Sequence, residues 1–315
     1  MADQSALGFF ESQLAHIERQ VYAKKYPFIQ YRRLVPISTV ANQWADSITH
    51  YSMDKVGEAQ WFAANSNSMP LADIERDQHN VAVHMAAIGY EYNEEELARA
   101  MMVPGQQLPA EKAMGARRVS EEYIDEVVLR GNADFGWNGL INSDSIVTVV
   151  NAPDGAAGTT GWATKTPDEV IKDVNTLITG IYTTTKQTEM ADTLLLPIEL
   201  YTDIVTRRLT DSNAMTLHDF IMKANVYKAE SGNDLKIMTV RGLETAAASS
   251  AATDTTNRII AYRKDREVLK LHMPMPHRFL PIWRTGPLVY TVPGIFRLGG
   301  LEIRLPQAVR YMDGV

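Results

Sequence analysis

The sequence predicts an α+β fold, and three observations predict it. Residues 109–131 carry the pattern of one long, heavily charged helix ending at a glycine. From about residue 146 to 243, apolar strand-like runs are interleaved with amphipathic helices. Beyond residue 258 the chain is strand-rich. With 315 residues, 45% of them hydrophobic, there is enough apolar surface for one large domain or two smaller ones.

The elements follow in order. Phe10, Leu14, Ile17 and Val21 recur at helical spacing, so residues 9–22 read as a short amphipathic helix. The next stretch, YPFIQYRRLVPIST, reads as an extended arm, because Pro27 and Pro36 block helix. Arg32 and Arg33 lie on it, and a terminal arm without a core of its own often docks on something else. Residues 44–64 read as two polar strands joined near Asp54–Gly57, with Trp44, Tyr51, Trp61 and Phe62 at the feet. An isolated two-stranded hairpin is marginal in water, so this one must lean on its own domain or on a neighbouring subunit. Residues 79–92 alternate as a strand, with Val81, Val83 and Met85 on one face and His84, Ala86 and Ile88 on the other. Asn93 caps the acidic start of a short helix, EEELARAMM.

In the long helix, Ala113, Ala116, Val119, Tyr123, Ile124, Val127 and Val128 form the expected packed face. Arg118, Glu121, Glu122, Asp125 and Glu126 form the charged face opposite. Gly131 stands where a left-handed C-cap belongs, and Asn138-Gly139 marks a tight turn. A helix that packs on one side and shows dense charge on the other suits a structural rod better than an active site. Further on, NAPDGAAGTTGWAT reads as a mobile Gly-rich surface loop. Thr166, Pro167 and Glu169 open a helix whose apolar face is Val170, Val174, Leu177, Ile178 and Ile181. DTLLLPIELYTDIVTRRL reads as a buried strand followed by a helix, and TLHDFIMKANVY as another short helix. Residues 235–243 form a strand, and ETAAASSAATDTTN is a low-complexity surface loop.

Charge is unevenly spread over a net −7. Residues 1–40 hold five basic and three acidic residues, and residues 256–315 hold ten and four. The middle, 41–255, holds sixteen basic against thirty-one acidic, a net of −15. Basic ends around an acidic centre pair either within one fold or between copies of it. An acidic total argues against a dedicated nucleic-acid binder, which needs a concentrated basic face. There is no cysteine, hence no disulfide and no thiolate metal site. No apolar run reaches transmembrane length, and the acid-bearing N-terminus is not a secretory signal.

Chemistry-bearing motifs are weak. His79 and His84, in one strand, point to opposite faces, and His272 and His277 have no acidic ligand near them in sequence. No HExxH, EF-hand, GxGxxG, GxSxG or SxxK pattern occurs. In GAAGTTGWATKT, Trp162 and Ala163 stand where a phosphate-binding loop needs lysine and a hydroxyl residue. Carboxylates sit mostly on helix faces beside basic neighbours, as in Arg117–Glu121 and Arg118–Glu122, the habit of a solvated face. The expectation is therefore no catalytic residue, no cofactor and no metal.

The order of elements carries more: arm, polar hairpin, strand with a short acidic helix, long charged helix with its exit turn, mixed region, closing strand. EEYIDEVVLRGNADFGWNGLIN, DTLLLPIELYTDIV and GGLEIRLPQAVRYMDGV are the best-matching stretches. In this order the chain resembles the major capsid protein of tailed bacteriophages, with the HK97-type fold. The resemblance implies an N-terminal arm over 1–40 and an extended E-loop over 41–70. It implies a P-domain over 71–145 with its spine helix at 109–131, and an A-domain with a central sheet over 146–272. Residues 273–315 would return to the P-domain and supply the C-terminal strand. It implies hexamers and pentamers closing an icosahedral shell around double-stranded DNA, and residence in the virion after assembly in the host cytoplasm. A separate scaffolding protein is expected, because no fused scaffolding region precedes the arm, together with a portal and a decoration protein as further partners. Lys55 is the sole lysine of 41–70, and nothing local suggests that it crosslinks. Subunit-interface candidates are Arg32, Arg33, Trp44, Lys55, Glu58, Trp61, Arg117, Arg118, Glu121 and Glu122. An encapsulin-like compartment with the same fold is the alternative, and an α/β enzyme without recognisable motifs a remoter one.

Overall fold

A five-stranded sheet, apolar on both faces, organises the chain in the computed structural model. Residues 27–59, 61, 71–102, 108–210, 213–247 and 256–315 are described; the helix expected over 9–22 lies outside them. The described part opens with a one-turn helix α1 (Tyr31–Leu34) and a short strand β1 (Ile37–Ser38), where an extended arm without a core was expected. Tyr31, Leu34 and Val35 are buried in the chain's own core, and Pro27 and Pro36 only bracket the turn. A long ribbon follows, β2 (Ser47–Val56) and β3 (Asp73–Ala82), then β4 (His84–Ala87) and β5 (Tyr90–Asn93). Helix α2 (Glu94–Met102) leads to α3 (Leu108–Arg130). Next come β6 (Thr148–Asn151), α4 (Pro167–Thr184), β7 (Thr193–Leu196), α5 (Ile198–Thr206), α6 (Leu217–Lys223), α7 (Val226–Ser231) and β8 (Lys236–Thr239). The rest is mostly strand: β9 (Arg258–Tyr262), β10 (Leu269–His272), β11 (Met275–Phe279), β12 (Val289–Val292), β13 (Gly294–Leu298), β14 (Leu301–Ile303) and β15 (Val309–Asp313).

The central sheet runs β8-β7-β9-β15-β6. β8 is parallel to β7 and β6 to β15, while β9 runs antiparallel to both of its neighbours. Alternate residues serve two cores. Leu195, Ile260, Tyr262, Val309 and Tyr311 pack with Ile124, Val128 and Leu129 of α3. Leu194, Leu196, Ile259, Ala261 and Met312 pack with Val170, Val174, Leu177, Ile178 and Ile181 of α4. A sheet covered on both faces needs continuous apolar runs, which is why TLLL and RIIAY show no alternation. Each such side chain contributes roughly 1.5–3 kcal/mol through burial. The closing strand β15 completes this sheet, between β9 and β6.

The long helix spans 108–130, within a residue of expectation. Gly131 ends it with φ +74°, and a Cβ there would lie 2.0 Å from the Trp137 carbonyl oxygen, so both conformation and space demand glycine. Its packed face differs from the expected one. Val119 and Tyr123 are exposed, whereas Asp125, assigned to the charged face, is fully buried together with Ser120 and Leu129. The reason is α1, which covers the flank of α3. Asp125 Oδ1 accepts the backbone N–H groups of Gln30 at 2.9 Å and Tyr31 at 2.8 Å, and Oδ2 accepts from Arg241 at 2.7 Å.

The hairpin also differs. β2 pairs with β3, from Ser47↔Ala82 to Val56↔Asp73, so its second strand lies at 73–82 and not before residue 64. The ribbon therefore overruns the 41–70 boundary. Nearly every position on both strands is exposed, so neither strand has a buried face to imprint alternation on its sequence. The single strand expected over 79–92 is broken at Val83, which is buried and donates its N–H to the Asp46 carbonyl at 2.9 Å. His79 thus belongs to the ribbon, while His84 begins β4, which pairs with β13.

The Gly-rich loop before α4 is pinned by its own side chains. Trp162 is buried and donates its indole N–H to Asp173 at 3.1 Å, while the Lys165 ammonium meets the same carboxylate at 2.6 Å. Arg207 donates to the carbonyls of Trp162 and Lys165, each at 3.0 Å. Glu169 accepts the N–H groups of Thr166 at 2.8 Å and Ala156 at 2.7 Å, closing the N-terminus of α4 and fixing the loop to it. The expected mobile loop is anchored because its one large apolar residue joins the core. Among the described residues, no helix is long and apolar enough to cross a membrane.

Candidate functional site

The interface candidates fall into two groups, one on the ribbon and one on α3 with the segment that crosses it. Ten residues of strand at about 3.4 Å each make the ribbon roughly 34 Å long. Trp44 sits at its root, exposed, with the Arg278 guanidinium 5.9 Å from its ring. Lys55, Glu58 and Trp61 are exposed at the other end. Tyr51 and Met53 are 67% and 68% exposed, and Val56 and Ile74 about half. These apolar side chains have no core beneath them, which is costly for a ribbon that stays in water.

The root is fixed by charge. Arg297 of β13 donates to Asp46 at 2.7 Å. Glu302 of β14 lies under β2: its carboxylate is 2.6 Å from His272 Nε2, 2.8 Å from His50 Nδ1, 3.2 Å from Arg304 Nε and 3.8 Å from the Lys270 ammonium. Burial pushes this carboxyl up, but His272, Arg304 and His50 outweigh it and hold it down at about 2. The His50 ring stacks on His79 across the ribbon with centroids 5.0 Å apart, and burial holds its pKa below the ordinary value. His272 thus has an acidic partner that sequence spacing could not supply, since Glu302 lies on a paired strand thirty residues on. No group of three or more metal-ligating side chains occurs among the described residues.

On α3, Glu121 and Arg118 bind the arm of their own chain. Arg32 donates to Glu121 at 2.7 Å, as does the Tyr31 hydroxyl. Arg118 donates to the Pro27 carbonyl at 2.6 Å and to Glu122 at 2.9 Å. The local Arg118–Glu122 pair therefore forms, whereas Glu121 takes Arg32 instead of Arg117. Arg117 and Arg33 remain exposed and in no ion pair among the described residues. Beside this network runs a groove of about 560 Å³, walled by Val119, Glu122, Tyr123, Glu126, Arg130 and Arg241. Asp125 is the residue that sequence reading misassigned. Its position among charged neighbours hid it, and its partners lie more than ninety residues away.

The geometry offers a projecting ribbon, a rigid rod with an exposed groove of apolar residues and both signs of charge, and a doubly covered sheet. Comparison with known proteins adds one family and three solved structures. The family described as Major capsid protein matches residues 57–315. The capsid of Myoviridae phage XM1 superposes with a TM-score of 0.78 at 17% identity, covering 96% of this chain and 98% of that one. A Microbacterium phage Oxtober96 structure gives 0.63 at 12%, with 96% and 97% covered, and the capsid of a native GTA particle gives 0.61 at 11%, with 95% and 94% covered. None of the curated proteins matches. These solved structures share the architecture described above, the HK97-type fold expected from the order of elements.

Proposed function

This chain belongs to the major capsid protein family, and from that premise we propose that its copies form hexamers and pentamers closing an icosahedral shell around double-stranded DNA. The observation that carries the reading is the ribbon, β2 and β3, exposed on both faces and tipped with Lys55, Glu58 and Trp61. A subunit keeps such a ribbon because a neighbour covers it. The exposed groove of α3, with Val119 and Tyr123 among Glu122, Glu126, Arg130 and Arg241, is the surface that suits an incoming apolar segment carrying both signs of charge. Arg33 and Arg117 are free to contact a neighbour, while Arg32, Arg118, Glu121 and Glu122 first tie the arm to the rod. In domain terms, the sheet with α4 to α7 is the A-domain, α3 with the outer strands the P-domain, and the ribbon the E-loop. Charge favours a container over a reader of DNA: residues 41–255 carry net −15, so a packed genome meets an acidic wall. Scaffolding, portal and decoration proteins are the further partners, and host cytoplasm is the place of assembly. The role is structural, without catalysis. Native mass spectrometry and negative-stain microscopy test the reading. Capsomers and closed particles are expected; a species that stays monomeric or dimeric under all conditions, scaffolding protein included, refutes it.

A further inference from the structure

Arg310, on β15, is an arginine without an anion. It is half-buried, its Nε is shielded from solvent and has no hydrogen-bond partner, and no carboxylate lies within ion-pair distance among the described residues. Burial lowers its pKa, with no counter-charge to offset the cost. The chain nevertheless makes room for it. Gly180 sits in the interior of α4, where glycine costs about 1 kcal/mol against alanine. A Cβ at 180 would lie 2.0 Å from Arg310 Nη1, so the guanidinium passes directly against the helix backbone.

The guanidinium emerges into an open groove of about 710 Å³ along α4. Lys172, Thr176, Thr179 and Thr183, spaced four, three and four apart, present an ammonium and hydroxyls along it. The groove's own acid, Asp168, is twelve residues before Gly180, about 18 Å along the helix axis, and does not reach Arg310. The site is thus a cation with flanking hydroxyls, shaped for one carboxylate.

We propose that this groove is a subunit contact in which Arg310 pairs with an aspartate or glutamate of a second copy of this chain. The proposal rests on the shell reading and names one of its contacts. Charge chooses the occupant. The groove's charged groups are Lys172 and Arg310 against Asp168 alone, so it is locally basic, and a second copy of a chain of net −7 is a partner rich in carboxylates. One guanidinium with flanking hydroxyls matches one side-chain carboxylate, whereas a polyanion such as DNA needs a longer basic face. A half-buried guanidinium that gains its partner only on association stabilises the assembly more than the subunit.

Cryo-electron microscopy of shells formed by the full chain, with a matched variant, tests this. The expected map places a carboxylate of the neighbouring copy within 4 Å of the Arg310 guanidinium. Arg310→Met is expected to fold, to resist urea at least as well as the parent, and to lower shell yield by about tenfold or more. A groove that stays open, or is filled by the chain's own residues or by nucleic-acid phosphate, overturns the proposal. So does a variant that assembles at parental yield, or one whose soluble subunit is destabilised. If the parent forms no shell, the shell reading itself falls, an outcome visible before any groove is inspected.

Discussion

Asp125 holds the arm to the rod, and removing its carboxylate should release the arm before it disturbs the sheet. In Asp125→Ala, the N–H groups of Gln30 and Tyr31 lose their acceptor and Arg241 loses its counter-ion. The carboxylate is fully buried, while the Arg241 side chain is 44% exposed, so the ion pair itself is screened and the two N–H bonds dominate. Hydrogen bonds to a charged acceptor are worth about 1.5–3 kcal/mol each, and leaving buried donors unpaired costs a similar amount. The expected destabilisation is about 3–5 kcal/mol, against roughly half of that for Asp125→Asn, which keeps the acceptor oxygen but loses the charge. Urea denaturation of the soluble subunit reads the first quantity. Limited trypsin digestion reads the second: with α1 released, the Arg32 and Arg33 bonds should be cut far faster than in the parent. A variant within about 0.5 kcal/mol of the parent, cut no faster at these arginines, would refute the assignment of Asp125 as the anchor.

Three further outcomes follow. Lys165→Met leaves the buried Asp173 carboxylate without its counter-ion and should cost about 3–5 kcal/mol, whereas Lys165→Met combined with Asp173→Asn, which keeps an acceptor for the Trp162 indole N–H, should recover part of it; urea midpoints decide, and a double variant as weak as the single one contradicts the pairing. Glu302 sits at about 2 in the fold against an ordinary 4.5, so its stabilisation is complete above about pH 4.5 and fades as pH falls towards 2. That amounts to about 3 kcal/mol, and the stability gap between the parent and Glu302→Gln should shrink across this window; a gap independent of pH rules out the carboxylate as its source. Exchanging Arg118 and Glu122 keeps the local pair but breaks the Arg118 bond to the Pro27 carbonyl, so proteolysis of the arm should quicken without loss of helix content by circular dichroism; unchanged proteolysis means the bond holds nothing.

How much of this was legible in the sequence depended on whether a residue's partners are local. The rod was readable to within a residue, because helical periodicity and a left-handed glycine are written in adjacent positions. The cap at Thr166 and Glu169 was readable for the same reason. The second ribbon strand, DIERDQHNVA, was not: with both faces in solvent it carries no alternation, and its composition resembles a charged loop. Asp125 and the Lys165–Asp173 pair were hidden because burial of a charge is decided by partners, not by spacing. Of the interface candidates near the ribbon, Trp44, Lys55, Glu58 and Trp61 are all exposed. That Glu121 would take Arg32 rather than Arg117 depended on a contact across eighty-nine residues.

If the ribbon builds the shell and not the subunit, excising it abolishes assembly and leaves the fold intact. Residues 51–78 are replaced by Asn-Gly, which closes the His50↔His79 pair with a two-residue turn. Analytical ultracentrifugation is run on this variant and on the parent under assembly conditions, after circular dichroism and a thermal melt of each. The expected variant keeps the parent's fold and melting behaviour and sediments only as free subunits, while the parent sediments as capsomers and closed particles. A ribbonless variant that forms particles as the parent does would contradict this, as would one whose sheet no longer folds.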